Sequence, residues 1–251
     1  MTNKYMYFIA NWKMFGNVNS LNSINKVVNF LKKFKYKNFL KVVYCPPNTL
    51  INSLSNHKNS QFISIGAQNC HQNKNPGPFT GFVNSSMLKN VGAKYVIIGH
   101  SENRQNGEND KILNLKISSA LESKLKVIFC IGETLKEKRN RKTRIILRKQ
   151  IMSGLKNMTK LNNIIIAYEP VWSIGSGKIP KSKELNKAIE YIKSLTIKKN
   201  KLKNNKVLYG GSVNPKNIKN LSKIGSIDGF LIGGASQKSK NFIDIIKKTI
   251  N

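Results

Sequence analysis

Residues Ile164 to Lys178 read IIIAYEPVWSIGSGK: a short apolar run, a carboxylate and a proline, then a turn rich in glycine and serine. A short apolar run of this kind reads as a strand ready to be buried. Pro170 stops it, because proline has no N–H to give to a sheet. Working outward from this segment, the same order recurs along the chain. Candidate strands lie at Tyr5 to Ala10, Leu40 to Tyr44, Phe62 to Ala67, Tyr95 to Ile98, Lys126 to Cys130, Ile164 to Tyr168, Val207 to Tyr209 and Gly229 to Ile232. Between them run segments of helical period, such as Leu21, Ile24, Val27, Val28 and Leu31, or Leu185, Ala188, Ile189 and Ile192. Strand alternating with helix implies a parallel sheet. No linker or compositional break divides residues 1–251, so one domain is expected, at a length that suits one α/β barrel. Eight βα units favour closure into a barrel, although an open doubly wound sheet gives a similar pattern from periodicity alone. In either architecture the polar and glycine-rich clusters that follow the strands share the carboxyl edge of the sheet, where α/β active sites are built.

Composition narrows the class. Hydrophobic residues make up 39% of the chain, below the globular average, yet the apolar runs exclude a disordered polyelectrolyte. The formal charge of +33 raises the question of a polyanionic partner. Only Arg104, Arg139, Arg141, Arg144 and Arg148 are arginines against 39 lysines, whereas base and phosphate recognition favours the bidentate guanidinium. Lysine, asparagine and isoleucine abound together, which fits a drift towards AT-rich codons at solvent-facing positions. Cys45, Cys70 and Cys130 are widely spaced and form no C-x-x-C pair, so they read as reduced, partly buried thiols. The apolar part of Met1 to Ala10 is too short for a signal peptide, and no apolar run approaches a membrane span. A cytoplasmic location and no membrane partner are the expectation.

Six motifs in order resemble the triosephosphate isomerases: NWKM at Asn11 to Met14, IIGHSEN at Ile97 to Asn103, IGET at Ile131 to Thr134, AYEPVWSIGSGK at Ala167 to Lys178, YGGSV at Tyr209 to Val213 and GFLIGGAS at Gly229 to Ser236. One motif is weak evidence; six in this order and spacing are hard to produce otherwise. The resemblance implies a single-domain (β/α)8 TIM barrel. It also implies an isomerase of glycolysis and gluconeogenesis that interconverts dihydroxyacetone phosphate and D-glyceraldehyde 3-phosphate through an enediolate, with no cofactor and no metal.

The same resemblance assigns residues. A carboxylate at the end of the sixth strand can act as a base, and in the family Glu169 moves the proton between adjacent carbons. Of the eleven carboxylates, Glu102, Glu133 and Glu169 lie in motifs and Asp228 directly precedes one. His100 precedes what looks like a first helical turn, whose dipole disfavours an imidazolium. A neutral ring can then donate to the substrate carbonyl, a role inherited from the family, which is itself the standard illustration of this pairing. Lys13 is expected on the same side of the sheet as Asn11 by period-two alternation. In the family Lys13 stabilises the developing charge, Asn11 binds substrate and Glu102 holds Lys13. Gly175, Ser212, Gly233 and Gly234 correspond to the phosphate contacts, where glycine lets backbone N–H groups approach a dianion. His57 and His71 read as ordinary polar residues near loops.

Pro170 to Lys178 corresponds to a mobile lid that excludes water. Tyr209 and Ser212 correspond to its latches, but Pro180 has no N–H to donate, so one latch bond is expected to be missing and closure somewhat looser. Gly175 to Lys178 suggests a P-loop only superficially: no glycine precedes at the required distance and Ile179 stands where Ser or Thr would hold a metal. A homodimer is expected, with the loop Gln68 to Phe82 inserting into the other subunit, although Phe82 and Asn103 stand where the family carries an ion pair across the dimer. The basic run Lys136 to Lys149 reads as a barrel helix with a solvated outer face and an apolar stripe of Ile145, Ile146 and Ile151. The alternative reading is a basic barrel that binds nucleic acid or another polyanion with a vestigial active site; no specific nucleic acid is expected on the first reading.

Overall fold

The computed structural model describes residues 5–56, 60–158, 161–200 and 205–250; His57 lies outside them. Eight strands run β1 (Met6–Asn11), β2 (Leu40–Cys45), β3 (Ser64–Ala67), β4 (Tyr95–Ile98), β5 (Lys126–Ile131), β6 (Ile164–Tyr168), β7 (Val207–Tyr209) and β8 (Gly229–Ile232). They form a closed parallel barrel in chain order, with β1 pairing β8 from Tyr7↔Gly229 to Ala10↔Ile232. The ring of helices is α1 (Leu21–Lys33), α2 (Ile51–Ser55), α3 (Ser85–Asn90), α4 (Ser101–Gln105), α5 (Asp110–Glu122), α6 (Leu135–Arg139), α7 (Thr143–Gly154), α8 (Ser182–Asn200), α9 (Ile218–Ser222) and α10 (Ser239–Ile250). The β1–β8 pairing excludes the open sheet, a choice that no local pattern could make.

Two apolar layers follow from strand alternation. Ile9, Val43, Cys45, Ile97, Ile128, Cys130, Ile165, Ala167, Leu208 and Leu231 fill the barrel, while Phe8, Val42, Val96, Phe129, Ile166 and Phe230 face the helices. Apolar residues on both faces explain why these strands read as continuous runs. The three thiols are buried and unpaired with one another, two inside the barrel and Cys70 in the outer layer; burial pushes the Cys70 thiol up to about 12, away from the reactive thiolate.

Boundaries and faces differ from the sequence reading in places. Phe62 belongs to a 3-10 turn, Ser60–Phe62, and β3 begins only at Ser64. The basic run divides into α6 and α7, and the buried stripe of α7 is Leu147, Ile151 and Gly154. Ile145 is exposed. Glycine at 154 lets the helix pack closely on the barrel, because a Cβ there would lie 2.4 Å from the Phe129 ring. His71 is also not an ordinary polar residue: it is buried, with ring centroids 4.5 Å from Phe79 and 5.0 Å from Phe82, and it stiffens the loop Gln68 to Phe82.

The barrel interior is the part least able to collapse around a deletion. Ile97→Ala is expected to cost roughly 2–5 kcal/mol, read as a lower midpoint in denaturant unfolding. A midpoint unchanged from the parent contradicts a close-packed interior.

Candidate active site

The inward rows of the strands, continued beyond their apolar part, meet at the carboxyl mouth. Ile9 leads to Asn11, Ala167 to Glu169, and Leu208 to Gly210, each two residues further on and so on the same face. A cavity of about 290 Å³ opens there. Asn11, Lys13, His100, Glu169, Gly175, Ser212, Gly233 and Gly234 all line it, together with Gly210, Gly211 and Leu231. Residues from opposite ends of the sequence share this wall because β8 closes on β1.

Glu169 is 3% exposed. Burial raises its carboxyl above the usual value, against the opposing influence of the His100 ring, the Cys130 thiol and the Lys13 ammonium. Oε1 lies 3.5 Å from His100 Nε2, and Oε2 is buried with no hydrogen-bond partner among the described residues. A desolvated carboxylate oxygen without donors is a strong base. Two glycines make the placement possible. A Cβ at Gly210 would sit 2.6 Å from Glu169 Cγ, and one at Gly132 would sit 1.9 Å from the Glu169 carbonyl oxygen.

His100 caps α4, its Nδ1 accepting from the Glu102 backbone N–H at 3.3 Å. Glu102 Oε2 also lies 3.5 Å from Nδ1. The amide decides the tautomer, because an N–H can only donate. Nδ1 is then the acceptor and Nε2 carries the ring proton towards the cavity.

Lys13 does not reach the site by strand alternation. β1 ends at Asn11, and Lys13 takes a left-handed φ of 55°, uncommon for a residue with a side chain. Three contacts hold that turn: its N–H donates to Asn11 Oδ1 at 3.1 Å, Gln68 Nε2 donates to its carbonyl at 2.8 Å, and its Nζ meets Glu102 Oε1 at 2.6 Å. Gln68 also donates to the Cys45 carbonyl at 2.9 Å, so one amide ties the Lys13 turn to β2. From the sequence Gln68 is only the start of the loop to Phe82; its place directly after β3, on the carboxyl edge, is the one local signal of this contact.

The segment after Pro170 folds over the mouth through a short 3-10 turn, Val171–Ser173, with Ile174, Gly175 and Gly177 against the cavity. Its base is held by Glu133, which accepts from Trp172 Nε1 at 3.1 Å and from Tyr168 Oη at 3.1 Å. Burial raises the Glu133 carboxyl, while those donors and Lys138 favour its charge. Ser212 Oγ accepts from the Gly177 N–H at 3.1 Å and donates to the Ser173 carbonyl at 2.6 Å. Tyr209 does not bond the backbone of the segment; its hydroxyl lies 2.9 Å from Ser173 Oγ. The latch absent at Pro180 is thus replaced by a side-chain contact that sequence reasoning missed.

Comparison with known proteins matches the chain over the whole barrel. A family model described as triosephosphate isomerase matches residues 6–249. The chain is 38% identical over 245 residues to the triosephosphate isomerase of Geotalea uraniireducens, covering 95% of this chain and 96% of that one. It is 39% identical over 244 residues to the protein of the same name from Mycoplasma mobile, covering 95% and 98%. The crystal structure of triosephosphate isomerase from Bartonella henselae superposes with a TM-score of 0.89 at 33% identity, covering 98% of this chain and 99% of that chain. Neither the family match nor these names speak of nucleic acid.

A carboxylate with a raised pKa carries a sign that stability can read. Above its raised pKa the folded state bears the cost of ionising a buried group, which the unfolded chain does not. Glu169→Gln is therefore expected to raise Tm at pH 7, with the gain shrinking as pH falls from the raised pKa and vanishing below the ordinary carboxyl value, where the unfolded chain is neutral too. A Tm at pH 7 below that of the parent contradicts the desolvation account.

Proposed function

The chain belongs to the triosephosphate isomerase family, and on that premise we propose how its barrel-mouth cavity interconverts dihydroxyacetone phosphate and D-glyceraldehyde 3-phosphate. The protein is an isomerase; the roles of its residues follow from their chemistry. Glu169 removes a proton from the carbon beside the carbonyl and returns it to the neighbouring carbon. His100 Nε2–H hydrogen-bonds the oxygen on which negative charge grows, and the Lys13 ammonium faces the same charge in a water-poor cavity. Asn11 binds the substrate, while Glu102 and Gln68 fix Lys13. Gly175, Ser212, Gly233 and Gly234 receive the phosphate, Gly234 opening the 3-10 turn Gly234–Ser236 after β8. The observation that carries this reading is the pair at the mouth: a buried carboxylate oxygen with no hydrogen-bond partner among the described residues, and an imidazole whose Nδ1 accepts from the Glu102 amide and leaves Nε2 to face the cavity.

On the same reading the reaction is expected to serve glycolysis and gluconeogenesis in the cytoplasm, with no cofactor and no metal. No helix among the described residues is long and apolar enough to cross a membrane. A homodimer is supported by apolar side chains left in solvent around the mouth: Met14 is 94% exposed, Phe15 57% and Phe82 64%. Single exposed apolar residues are ordinary, but bulky ones on neighbouring loops are what a partner covers. The neutral Phe82 and Asn103 leave no unpaired charge to bury. A dimer is expected in sedimentation at micromolar concentration, weakened by Phe82→Asp; a monomeric parent contradicts it.

Activity is tested with dihydroxyacetone phosphate in a coupled assay. Glu169→Gln is expected to lower turnover by at least roughly 10²-fold. Because the base must be ionised and burial raises its pKa, kcat/KM of the parent is expected to fall on the acid side at a pH above the ordinary carboxyl value. Undiminished turnover in the Gln variant excludes Glu169 as the base.

A further inference from the structure

Tyr209 is fully buried and its hydroxyl needs a partner. The neighbouring backbone supplies none at Pro180, which has no N–H, and the Lys178 N–H is engaged by Ser176 Oγ at 3.2 Å. The partner is Ser173, itself fully buried, whose Oγ lies 2.9 Å from Tyr209 Oη and 2.6 Å from the Lys178 carbonyl oxygen. Only a donor can face that carbonyl, so the Ser173 hydroxyl proton is committed to it, and the Tyr209 hydroxyl must donate to Ser173 Oγ. The proton order is then single-valued: Tyr209 O–H to Ser173 O–H to the Lys178 carbonyl. Ser212 closes a second loop through the Ser173 carbonyl and the Gly177 N–H. Both ends of residues 173–178 of the cavity cover are thereby pinned to β7 and the turn after it.

We propose that Ser173 is a positioning residue for the isomerisation: its hydroxyl relays the Tyr209 hydrogen bond to the carbonyl of Lys178 and holds residues 173–178 down over Glu169 and the reacting carbons. The inference rests on the isomerase reading. Its chemical consequence concerns the intermediate. An enediolate exposed to water can reform a carbonyl from its oxygen electrons and expel phosphate across the adjacent C–O bond, giving an enol that tautomerises to an α-ketoaldehyde. A cover held in place keeps the phosphate engaged and suppresses that route.

The test compares the parent with Ser173→Ala, Ser173→Cys, Tyr209→Phe and the double variant Ser173→Ala/Tyr209→Phe, measuring kcat, KM and inorganic phosphate released per turnover of dihydroxyacetone phosphate. Ser173→Ala is expected to lower kcat/KM about tenfold and to raise the phosphate released per turnover. Ser173→Cys, which keeps the volume with a weak donor, is expected to do the same and stands in if the Ala variant does not fold. The double variant is expected to be little worse than either single one, since both break one relay. A parent that turns over while Ser173→Ala and Ser173→Cys keep parental kcat/KM and phosphate release overturns the latch alone. So do losses from Ser173 and Tyr209 that multiply, or a fall in Tm with the phosphate ratio unmoved. A parent without turnover overturns the isomerase reading and the latch with it.

Discussion

The desolvated carboxylate of Glu169 sets the terms for everything around it. An ionised group in a cavity of this size is costly, and burial raises its pKa accordingly. The surrounding architecture offsets the cost without quenching the base. Lys13 and the His100 ring stand on one side, close enough to favour the charge, yet one carboxylate oxygen keeps its lone pairs free. Each neighbour is in turn held from behind: Lys13 by Asn11, Gln68 and Glu102, and His100 by the first turn of α4. Glycine at 132 and 210 leaves the space that the carboxylate and its backbone occupy. The site is therefore a pre-paid arrangement of dipoles and charges, which is what electrostatic catalysis requires.

Closure of the barrel makes that arrangement possible. The residues of the cavity come from the loops after β1, β4, β6, β7 and β8, and only the β1–β8 pairing brings Asn11 and Lys13 beside Gly233 and Gly234. Strand alternation then decides which side chains point inward, so that packing inside the barrel and chemistry at its mouth are two stretches of the same rows. A slip of one residue in β6 would turn Glu169 out to the helices. The tight interior thus has a functional consequence: it fixes the register on which the base depends.

Much of this was legible in the chain because it is local. Five residues of strand type followed by Glu169 and Pro170 give β6 its bounds, and α1 follows from the spacing of Ile24, Val27, Val28 and Leu31. The family motifs point to the same residues that line the cavity. What escaped is set by neighbours distant in sequence. The face that α7 buries carries Gly154 against Phe129, and Ile145 faces water despite its helical spacing. Lys13 leaves strand geometry because Gln68 and Glu102 hold a left-handed turn, which no alternation rule foresees. Ser173 looks like any small polar residue in a loop until the fold sets it between Tyr209 and Lys178. The high lysine content, by contrast, is a property of the surface, and the cavity uses one of those ammonium groups.

A single base on one face of the substrate is the central claim, and solvent isotope labelling reads it most directly. The parent protein is incubated with dihydroxyacetone phosphate in D2O and the recovered ketose is examined by proton NMR. The account predicts stereospecific labelling, with one of the two hydrogens on the hydroxymethyl carbon replaced by deuterium and the other retained. Equal loss of both hydrogens, or isomerisation over many turnovers with no deuterium taken up, contradicts it.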